Sequence, residues 1–526
     1  MSKKNVIRAA AGMLAGALLL GLAACGDKPR NGSDTESGAN HNQGKLFSEP
    51  TELSIVISSH VSWPYNENWK LWQYMKEATG ADLKISAIPG SDFTTKLPLM
   101  MASPESLPDL LHTWQKRDVD DYALTGAYLS YDDHMDEMPN FQKFWATVPE
   151  EEKNELFNQR RSADGKIYSA PSYGSPTAFG NMRTWMYRKD IFEKHGLQPP
   201  ETYEELYQVC KKLKELYPDS YPLCFRNGLG KIGEFGPSWQ TNLSWNGYYD
   251  FSENTWEFSA CQPVMKEIAE YFLKLQQEEL VPPDYITLGG KTWEELMSTD
   301  RGFITLDYMV RIDFFNLSVR QENPEYTLAM MAPPKADTPE GAQLLMRGDL
   351  DFNGYSICNT GKEKNIQNAF RFVDWLYTDE ACELLSWGKE GETYEVKDGK
   401  RYYLCGENEN AQQKYGVGTY GVYQRMDPAA IEALYSEEQI EACREIVDYT
   451  EPNTNPLLWM SFTEDEMSRK IKLEQDICTY AQEEMSKFLL GQEPLSEWDT
   501  FQKGLKESGV DELLQIYKEA YDRITQ

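Results

Sequence analysis

The chain has 526 residues and a formal net charge of −32 at pH 7, from 84 acidic and 52 basic side chains. This negative charge argues against nucleic-acid binding and against adsorption to anionic lipid, because both surfaces would repel the protein. It also disfavours a highly anionic ligand, although a local basic pocket would override the average. The length exceeds what one hydrophobic core normally holds, so we expect two or more lobes.

Residues 1–24 have the pattern of a secretory signal peptide. Three basic residues stand at the start, and an apolar stretch rich in Ala, Gly and Leu follows over 9–23. That stretch is too short to predict a membrane-spanning helix. The four residues Leu22-Ala23-Ala24-Cys25 resemble a bacterial lipobox, which predicts lipidation of Cys25, palmitate included, and anchoring by acyl chains. The alternative is an ordinary secretory signal in which Cys25 has no role.

The segment after the lipobox predicts a tether. Gly26 to Lys45 contains almost no apolar side chains, so it cannot bury enough surface to offset the entropy of ordering. A flexible segment of this length has a root-mean-square reach of about 25 Å. We therefore assign residues 25–47 to the lipidated cysteine and its tether, and the folded body to the rest. No other apolar run is long enough to cross a membrane.

The eight remaining cysteines are scattered along the chain. None of them forms a C-x-x-C pair, and His is rare, so we predict neither a zinc site nor another metal site. Cys210 and Cys443 lie in helical patterns at positions where small apolar residues would stand. We therefore expect mostly free, buried thiols, while a Cys210–Cys224 disulfide stays open as an alternative.

The folded body begins with alternating strand and helix patterns. Strands are predicted at 53–57, at 83–88 and from Leu107, with helices over 66–79 and 93–101 between them. Two successive β-α-β units predict a parallel sheet with right-handed crossovers. Ligands bind beyond the carboxyl ends of strands in such sheets, which here carry residues 58–65 and 112–114.

The rest of the chain is mainly helical in pattern. A Ser or Thr followed three residues later by Glu or Gln predicts a capping box at several helix starts. These pairs are Thr202 with Glu205, Thr292 with Glu295, Ser436 with Gln439 and Thr463 with Glu466. After Thr202, apolar residues at 206, 209, 213 and 216 predict one buried stripe.

Five segments in order along the chain carry a family resemblance. They are 126–140, 164–171, 187–206, 389–400 and 498–523. As a set they resemble the extracellular solute-binding lipoproteins of bacterial carbohydrate ABC importers, of the family 1 type. The similarity is greatest to the subfamily associated with complex carbohydrates in Gram-positive bacteria.

The resemblance implies an α/β, two-lobed, periplasmic-binding-protein-like fold of type II. Each lobe would be a parallel-rich sheet flanked by helices, with a hinge and with the ligand cleft between the lobes. On this basis we assign residues 48–168 and about 303–350 to the first lobe. The second lobe would take residues 169–302 and about 351–526, which include the C-terminal helices.

The resemblance also implies a function without covalent chemistry or cofactor. A monomer on the extracellular face of the cytoplasmic membrane would capture an oligosaccharide and deliver it to the permease subunits of an ABC transporter. Some family members carry a calcium loop after the helix that follows Thr202. Here the stretch 217–224 has a single carboxylate, Asp219, so we do not carry the calcium site over.

Aromatic and polar residues in loop-like contexts are the candidates for sugar binding, because rings stack on sugar faces and polar groups bind hydroxyls. The alternative for each is ordinary packing, which we favour for Trp69, Trp72, Trp185 and Trp375. The candidates are His60, Trp63, Tyr65, Trp114, Tyr173, Asn181, Trp239, Trp245, Tyr248, Asp307, Tyr308, Arg311, Arg347 and Asp349.

Two other functions stay open from the sequence. A cleft rich in Trp and Tyr also suits a peptide, so a peptide-binding lipoprotein of an ABC importer is an alternative. A secreted glycoside hydrolase would need a carboxylate pair, which 84 acidic residues could supply by chance. The chain shows no G-x-S-x-G, H-E-x-x-H or P-loop pattern, which disfavours other hydrolases.

Overall fold

The structure, a computed structural model, describes most of the chain after the predicted tether. The described residues are 45–59, 64–162, 164–174, 183–241, 243, 245, 247–250, 253–339, 341–345, 353–406, 409–419, 421–449, 460 and 462–525. The predicted signal peptide, lipobox and most of the tether therefore lie outside the described residues. So do five of the candidate binding residues, namely His60, Trp63, Asn181, Arg347 and Asp349.

The strands and helices are numbered here in chain order. The strands are β1 (Thr51–Ser59), β2 (Ala81–Pro89), β3 (Leu110–Thr113), β4 (Tyr128–Leu129), β5 (Ala170–Pro171), β6 (Arg183–Arg188), β7 (Gly247–Asp250), β8 (Thr255–Phe258), β9 (Ile304–Tyr308), β10 (Leu328–Met331), β11 (Gly354–Cys358), β12 (Tyr394–Lys397) and β13 (Lys400–Tyr403). The helices are α1 (Lys70–Thr79), α2 (Gly90–Met101), α3 (Arg117–Ala123), α4 (Pro139–Trp145), α5 (Glu150–Arg160), α6 (Lys189–His195), α7 (Tyr203–Leu216), α8 (Val264–Gln277), α9 (Gly290–Met297), α10 (Arg311–Val319), α11 (Glu363–Trp375), α12 (Asp379–Ser386), α13 (Ala411–Tyr415), α14 (Pro428–Ala433), α15 (Glu437–Glu445), α16 (Glu464–Leu489), α17 (Trp498–Glu507) and α18 (Val510–Thr525).

The first sheet confirms the two predicted β-α-β units. Its strand order is β2-β1-β3-β11-β4, and β1 pairs in parallel with both β2 and β3. Strand β11 returns antiparallel to β3, and β5 pairs with β11. Phe47, at the boundary drawn between tether and body, is buried, and its N–H donates to the Thr79 carbonyl at 2.8 Å, so this residue belongs to the folded body.

The second sheet differs from the parallel-rich sheet that the resemblance implies. Its order is β10-β6-β9, and β6 is antiparallel to both neighbours. Parallel pairing occurs beside it as an isolated bridge between Leu223 and Ile304. The central strand β6 is entirely buried or half-buried, as expected for a strand covered on both faces.

Two large hydrophobic cores define the lobes and correct the predicted lobe assignment. One core joins residues from Phe47 to Ala170 with residues from Tyr355 to Ile431. The other joins residues from Trp185 to Leu345 with residues from Ala442 to Tyr517. The segment predicted as 303–350 of the first lobe thus belongs to the second, because β9 pairs with β6. The segment from 354 to 431 belongs to the first lobe, because β11 pairs with β3.

The chain therefore changes lobe three times, and the third crossing is described in full. Leu434 and Tyr435 still pack on the first core, and α15 packs into the second. Between them, Ser436 caps α15, and its N–H and hydroxyl both donate to the Asp313 carboxylate on α10, the N–H at 2.8 Å. The other crossings lie between Gly174 and Arg183 and between Leu345 and Asn353.

Three of the four predicted helix caps are confirmed. Thr202, Ser436 and Thr463 each accept the backbone N–H three residues later, and Thr463 with Glu466 forms the complete reciprocal box. The prediction for Thr292 was wrong, because α9 starts at Gly290 with Gly289 as its extended N-terminal cap. Of the stripe predicted on α7, Leu206 and Leu213 are buried, whereas Leu216 is exposed.

The eight cysteines after Cys25 are free thiols. Cys210, Cys224, Cys358 and Cys443 are buried, and the others are half-buried. The alternative Cys210–Cys224 disulfide is not formed; the Cys224 sulfur instead lies 3.4 Å from the Met297 sulfur. No helix among the described residues combines the length and the apolar character that a membrane span requires.

Candidate functional site

The candidate site lies at the edges of the two sheets next to the segments in which the chain crosses from one lobe to the other. In the first lobe, β3 ends at Thr113 opposite Gly354, where the chain returns from the second crossing. In the second lobe, β6 starts at Arg183 opposite Tyr308, the last residue of β9. We call these the first and second crossing edges. The carboxyl ends of β3 and β9 thus lie at the crossing edges, as the sequence predicts for a site between lobes.

The first crossing edge carries uncharged groups. His112 is fully buried and donates through Nε2 to the Asn353 side-chain oxygen. Its ring lies edge-on to Trp114, with 4.9 Å between ring centroids, and to Tyr355. Burial lowers the pKa of His112 to about 4, so the ring is neutral at physiological pH. Trp114 is half-buried and follows the last residue of β3, so this predicted residue lies at the first crossing edge.

A second feature of the first lobe is a shallow polar pocket next to the end of β1. Its lining is Pro64, Tyr65, Asn66, Glu67, Asn68 and Gln413. The Tyr65 N–H donates to the Ser59 hydroxyl at 2.9 Å, which ties the pocket to the last residue of β1. The Tyr65 ring packs 6.1 Å from Trp69 and 5.8 Å from Trp72. The predicted Tyr65 therefore lines a pocket and also anchors it.

The predicted Tyr173 is half-buried and packs among aromatic residues of the first lobe. Its ring lies edge-on to Phe144 at 5.4 Å and to Trp145 at 5.7 Å, in a larger aromatic group of the first lobe. Its hydroxyl donates to Glu152 at 3.3 Å. These contacts occupy both the ring and the hydroxyl, and they bring Tyr173 to the α4–α5 face of the lobe.

The second crossing edge carries a group of charged side chains around Asp307. This carboxylate is completely buried and accepts two hydrogen bonds from the Arg226 guanidinium, at 2.7 and 2.9 Å. Arg311, at the start of α10, lies 3.7 Å from Asp307. The Lys231 ammonium lies 4.0 Å from Asp307. The predicted pair Asp307 and Arg311 is thus brought together by the end of β9 and the start of α10.

The group extends outward through three further ion pairs. Glu234 pairs with Lys231 at 2.8 Å and with Arg183 at 3.0 Å, and Arg311 pairs with Glu294 at 3.1 Å. We call the seven side chains the Asp307 cluster. Its members are Arg183, Arg226, Lys231, Glu234, Glu294, Asp307 and Arg311.

Burial and mutual attraction compete in the Asp307 cluster. Burial raises the pKa of Asp307, but Lys231 and the hydrogen bonds from Arg226 outweigh it and hold the pKa below its ordinary value. Burial lowers the pKa of Lys231, and the nearby Glu234 and Asp307 offset only part of that effect. Burial and the neighbouring Arg226 also lower the pKa of Arg311. The hydrogen bonds to Asp307 outweigh burial at Arg226 as well and raise its pKa, so the Asp307–Arg226 pair is well stabilised in its charged form, while Lys231 and Arg311 are stabilised less.

Aromatic rings hold the guanidinium groups of the cluster in place. The Arg183 guanidinium lies 4.4 Å above the half-buried Tyr308 ring and donates to the Tyr308 hydroxyl at 2.8 Å. Arg226 and Arg311 lie 5.5 and 5.3 Å from the ring centre of Trp293. A rigid guanidinium beside an aromatic face can bind carboxylate or hydroxyl oxygens of a ligand.

The remaining candidates of the second lobe have packing contacts. The Trp239 ring packs at a tilt against Tyr203, with 4.5 Å between ring centroids. Trp245 is a core residue whose indole N–H donates to the Leu229 carbonyl at 3.3 Å. Tyr248 lies in the β7–β8 hairpin and donates to Glu257 at 3.4 Å. Trp69, Trp185 and Trp375 are buried, as predicted, and Trp72 is half-buried.

Over residues 65–381 the chain matches the model of the bacterial extracellular solute-binding protein family. The chain belongs to this family. The match starts after β1, covers β2 and β3, and includes all of the Asp307 cluster.

Curated relatives of this solute-binding protein are similar over nearly the whole chain. The fructooligosaccharide ABC transporter substrate-binding protein FusA of Streptococcus pneumoniae is 22% identical over 551 residues, 95% of each chain. The polygalacturonan/rhamnogalacturonan-binding protein YtcQ of Bacillus subtilis is 21% identical over 466 residues, 85% of this chain and 87% of YtcQ.

Solved structures confirm the fold. The alginate-binding protein AlgQ2, without calcium, superposes with a TM-score of 0.75 at 20% identity, covering 91% of this chain and 99% of AlgQ2. FusA of Streptococcus pneumoniae in complex with kestose gives 0.70 at 18% identity, covering 90% and 99%. The predicted two-lobed fold of solute-binding proteins is therefore correct.

Sequence reasoning missed most of the solute-binding protein's charged cluster. Arg226 follows the buried run Leu223-Cys224-Phe225, and Arg183 stands just before an apolar strand. A charged residue at the end of such a run was the available signal. Among the described residues, no group of three or more His, Cys, Asp or Glu side chains could hold a metal ion.

Proposed function

We propose that this solute-binding protein captures an extracellular oligosaccharide between its lobes and delivers it to the permease of an ABC importer. The observation that carries the proposal is the pairing of an aromatic and a charged crossing edge, with Trp114 on one and Tyr308 on the other. Trp and Tyr rings suit the apolar faces of sugars, and the charged groups suit their hydroxyls. The printed ligands of FusA and YtcQ, fructooligosaccharide and polygalacturonan or rhamnogalacturonan, support this ligand class.

Capture would proceed by closure of the lobes. A ligand that contacts both crossing edges binds the closed arrangement more tightly than the open one, and this difference in affinity drives closure. The third crossing, held by Asp313 and Ser436, is a hinge element in this proposal. Asn181, Arg347 and Asp349 remain proposed ligand contacts because they adjoin the crossing edges in sequence. His60 and Trp63 remain so because they follow the carboxyl end of β1, the strand next to β3.

The proposal includes location and partners. Cys25 would carry the lipid that holds a monomeric receptor at the outer face of the cytoplasmic membrane. One similar protein, lipoprotein LipO of Bacillus subtilis, is 21% identical over 381 residues, which supports this anchoring. A tether keeps the captured ligand near the permease at high effective concentration. The receptor itself would perform no covalent chemistry.

Ligand class is testable by calorimetry and thermal unfolding of the mature chain with oligosaccharides and with peptides of similar size. A glycan that binds only the folded state adds about 2.7 kcal/mol of stability at a hundredfold excess over its Kd. Binding of peptides without binding of any glycan would overturn the carbohydrate proposal. Recovery of cleaved glycan, lost on substitution of one carboxylate, would favour the hydrolase alternative.

Trp114→Ala tests the first crossing edge. Because stacking on an aromatic ring contributes to sugar binding, we expect glycan affinity to fall about tenfold with little change in thermal unfolding. Tyr402→Ala is the matched control, since Tyr402 is an exposed aromatic residue of the β12–β13 hairpin. Equal affinity of the two variants would show that Trp114 is a packing residue only.

A further inference from the structure

We infer that the Asp307 cluster is a subsite for a carboxylate of the ligand, so that the captured glycan is an acidic, uronate-containing oligosaccharide. The inference rests on the proposed function and deepens it. It begins from a charge count. The cluster contains four cationic side chains, Arg183, Arg226, Lys231 and Arg311, against three carboxylates, Glu234, Glu294 and Asp307. Counted over these seven described side chains alone, the cluster has one more cationic group than acidic groups.

Most of the charged groups in the cluster are held away from water. The side chains of Lys231, Arg311 and Asp307 are at most 3% exposed, and that of Arg226 is 15% exposed. Charges in such surroundings are costly unless they are paired, because the protein interior solvates them less well than water does. The lowered pKa values of Lys231 and Arg311 have the same cause. An incoming anion would lower the free energy of these cations more than a neutral ligand could.

The accessible face of the cluster suits a carboxylate. The Arg183 side chain is 28% exposed and lies at the second crossing edge, where the chain enters β6. The Tyr308 hydroxyl accepts from one of the five donors that a guanidinium carries, and Glu234 lies 3.0 Å from the Arg183 Nε as an ion-pair partner. The Tyr308 ring fixes the plane of the guanidinium, and a planar fork of donors matches the two oxygens of a carboxylate.

The uncharged first crossing edge indicates that the carboxylate of the ligand would bind to the second lobe. His112 is neutral, and Trp114 offers a ring, so that edge suits a sugar face of either charge state. The formal charge of −32 would repel an anion from most of the surface. The Asp307 cluster supplies the local positive charge that an acidic ligand needs at this site.

The ligand test compares uronate oligomers with the same oligomers after methyl esterification. Oligogalacturonates, alginate oligomers and acidic xylan oligomers would be measured by calorimetry beside neutral oligosaccharides of equal length. We expect at least one acidic oligomer to bind, with esterification weakening it about tenfold or more, as for a lost charge-assisted hydrogen bond. If only neutral glycans bind, or if esterification leaves the affinity unchanged, the inference is overturned while the proposed function stands. Absence of binding to every glycan would overturn both.

Opposite charge changes within the cluster give the variant test. Arg183→Gln removes the surplus cation and should erase most of the preference for the acidic over the esterified oligomer. Glu294→Gln adds to the surplus and should increase that preference. Arg401→Gln, a half-buried arginine of the first lobe, is the matched control and should leave the preference unchanged. If Arg183→Gln fails to fold, Glu294→Gln alone decides, because an unchanged or smaller preference there contradicts a carboxylate subsite.

Discussion

The buried His112 makes the stability of the first lobe depend on pH. Its ordinary pKa of 6.5 falls to about 4 in the folded protein, because burial disfavours the charged ring. Protonation would also put an N–H on Nδ1, which has no hydrogen-bond partner among the described residues. The unfolded chain therefore binds the proton more readily than the folded chain. Its contribution to stability is fully present above the unfolded pKa and is lost as the pH falls toward 4.

The size of the effect follows from the two pKa values. Lowering the pH from about 7.5 to about 5 should reduce the free energy of unfolding by about 2 kcal/mol through His112 alone. Other groups titrate in the same range, so the test compares the protein with His112→Gln. The glutamine cannot take up a proton, yet it can still donate to Asn353.

The assay is urea unfolding followed by tryptophan fluorescence at several pH values. A two-lobed protein can unfold in more than one transition, so the transition of the first lobe is the one to follow. We expect its pH dependence to be about 2 kcal/mol smaller in His112→Gln than in the unchanged protein. The same pH dependence in both proteins would refute the argument, because it would mean that His112 titrates normally in the folded state.

Two further predictions concern thiols and close packing. Thiol titration of the unfolded mature chain, without reductant, should find the eight cysteines after Cys25 free, and reductant should leave thermal unfolding unchanged; any thiol released by reductant would contradict the structure. Gly354→Ala should lower the free energy of unfolding by about 1–3 kcal/mol, because its Cβ would overlap the Ala170 carbonyl oxygen in the neighbouring strand. Equal stability by urea unfolding would show that β5 and β11 can separate there.

Local patterns predicted the first three strands of the first sheet and the helices between them. The elements β1, α1, β2, α2 and β3 follow one another as predicted, and β1 pairs in parallel with β2 and β3. The predicted boundaries of these elements were less accurate. Helix α1 starts at Lys70 and not at residue 66, because the Trp69 N–H donates to the Asn66 carbonyl in a turn before it. Turns of this kind share the apolar spacing of a helix, so periodicity alone extends the helix too far.

Pairing between distant segments could not be predicted in the same way. Strand β9 joins β6 across more than a hundred residues, and nothing in the sequence around 304 marks that partner. The lobe assignment of 303–350 failed for this reason. The site shows the same limit, because Arg226 and Asp307 are 81 residues apart in the chain and meet only through the fold.

The difference in charge between the crossing edges separates their contributions to binding. Trp114 offers a contact that does not depend on the charge of the ligand, and the buried His112 beside it is neutral. Trp114→Ala should therefore lower the affinities for acidic and for esterified oligomers by the same factor and leave the ratio of the two affinities unchanged. Arg183→Gln should instead change that ratio, because it alters the charge that distinguishes the two ligands. If Trp114→Ala changed the ratio as well, the two edges would not act independently, and ligand charge would be sensed through closure of the lobes and not by the Asp307 cluster alone.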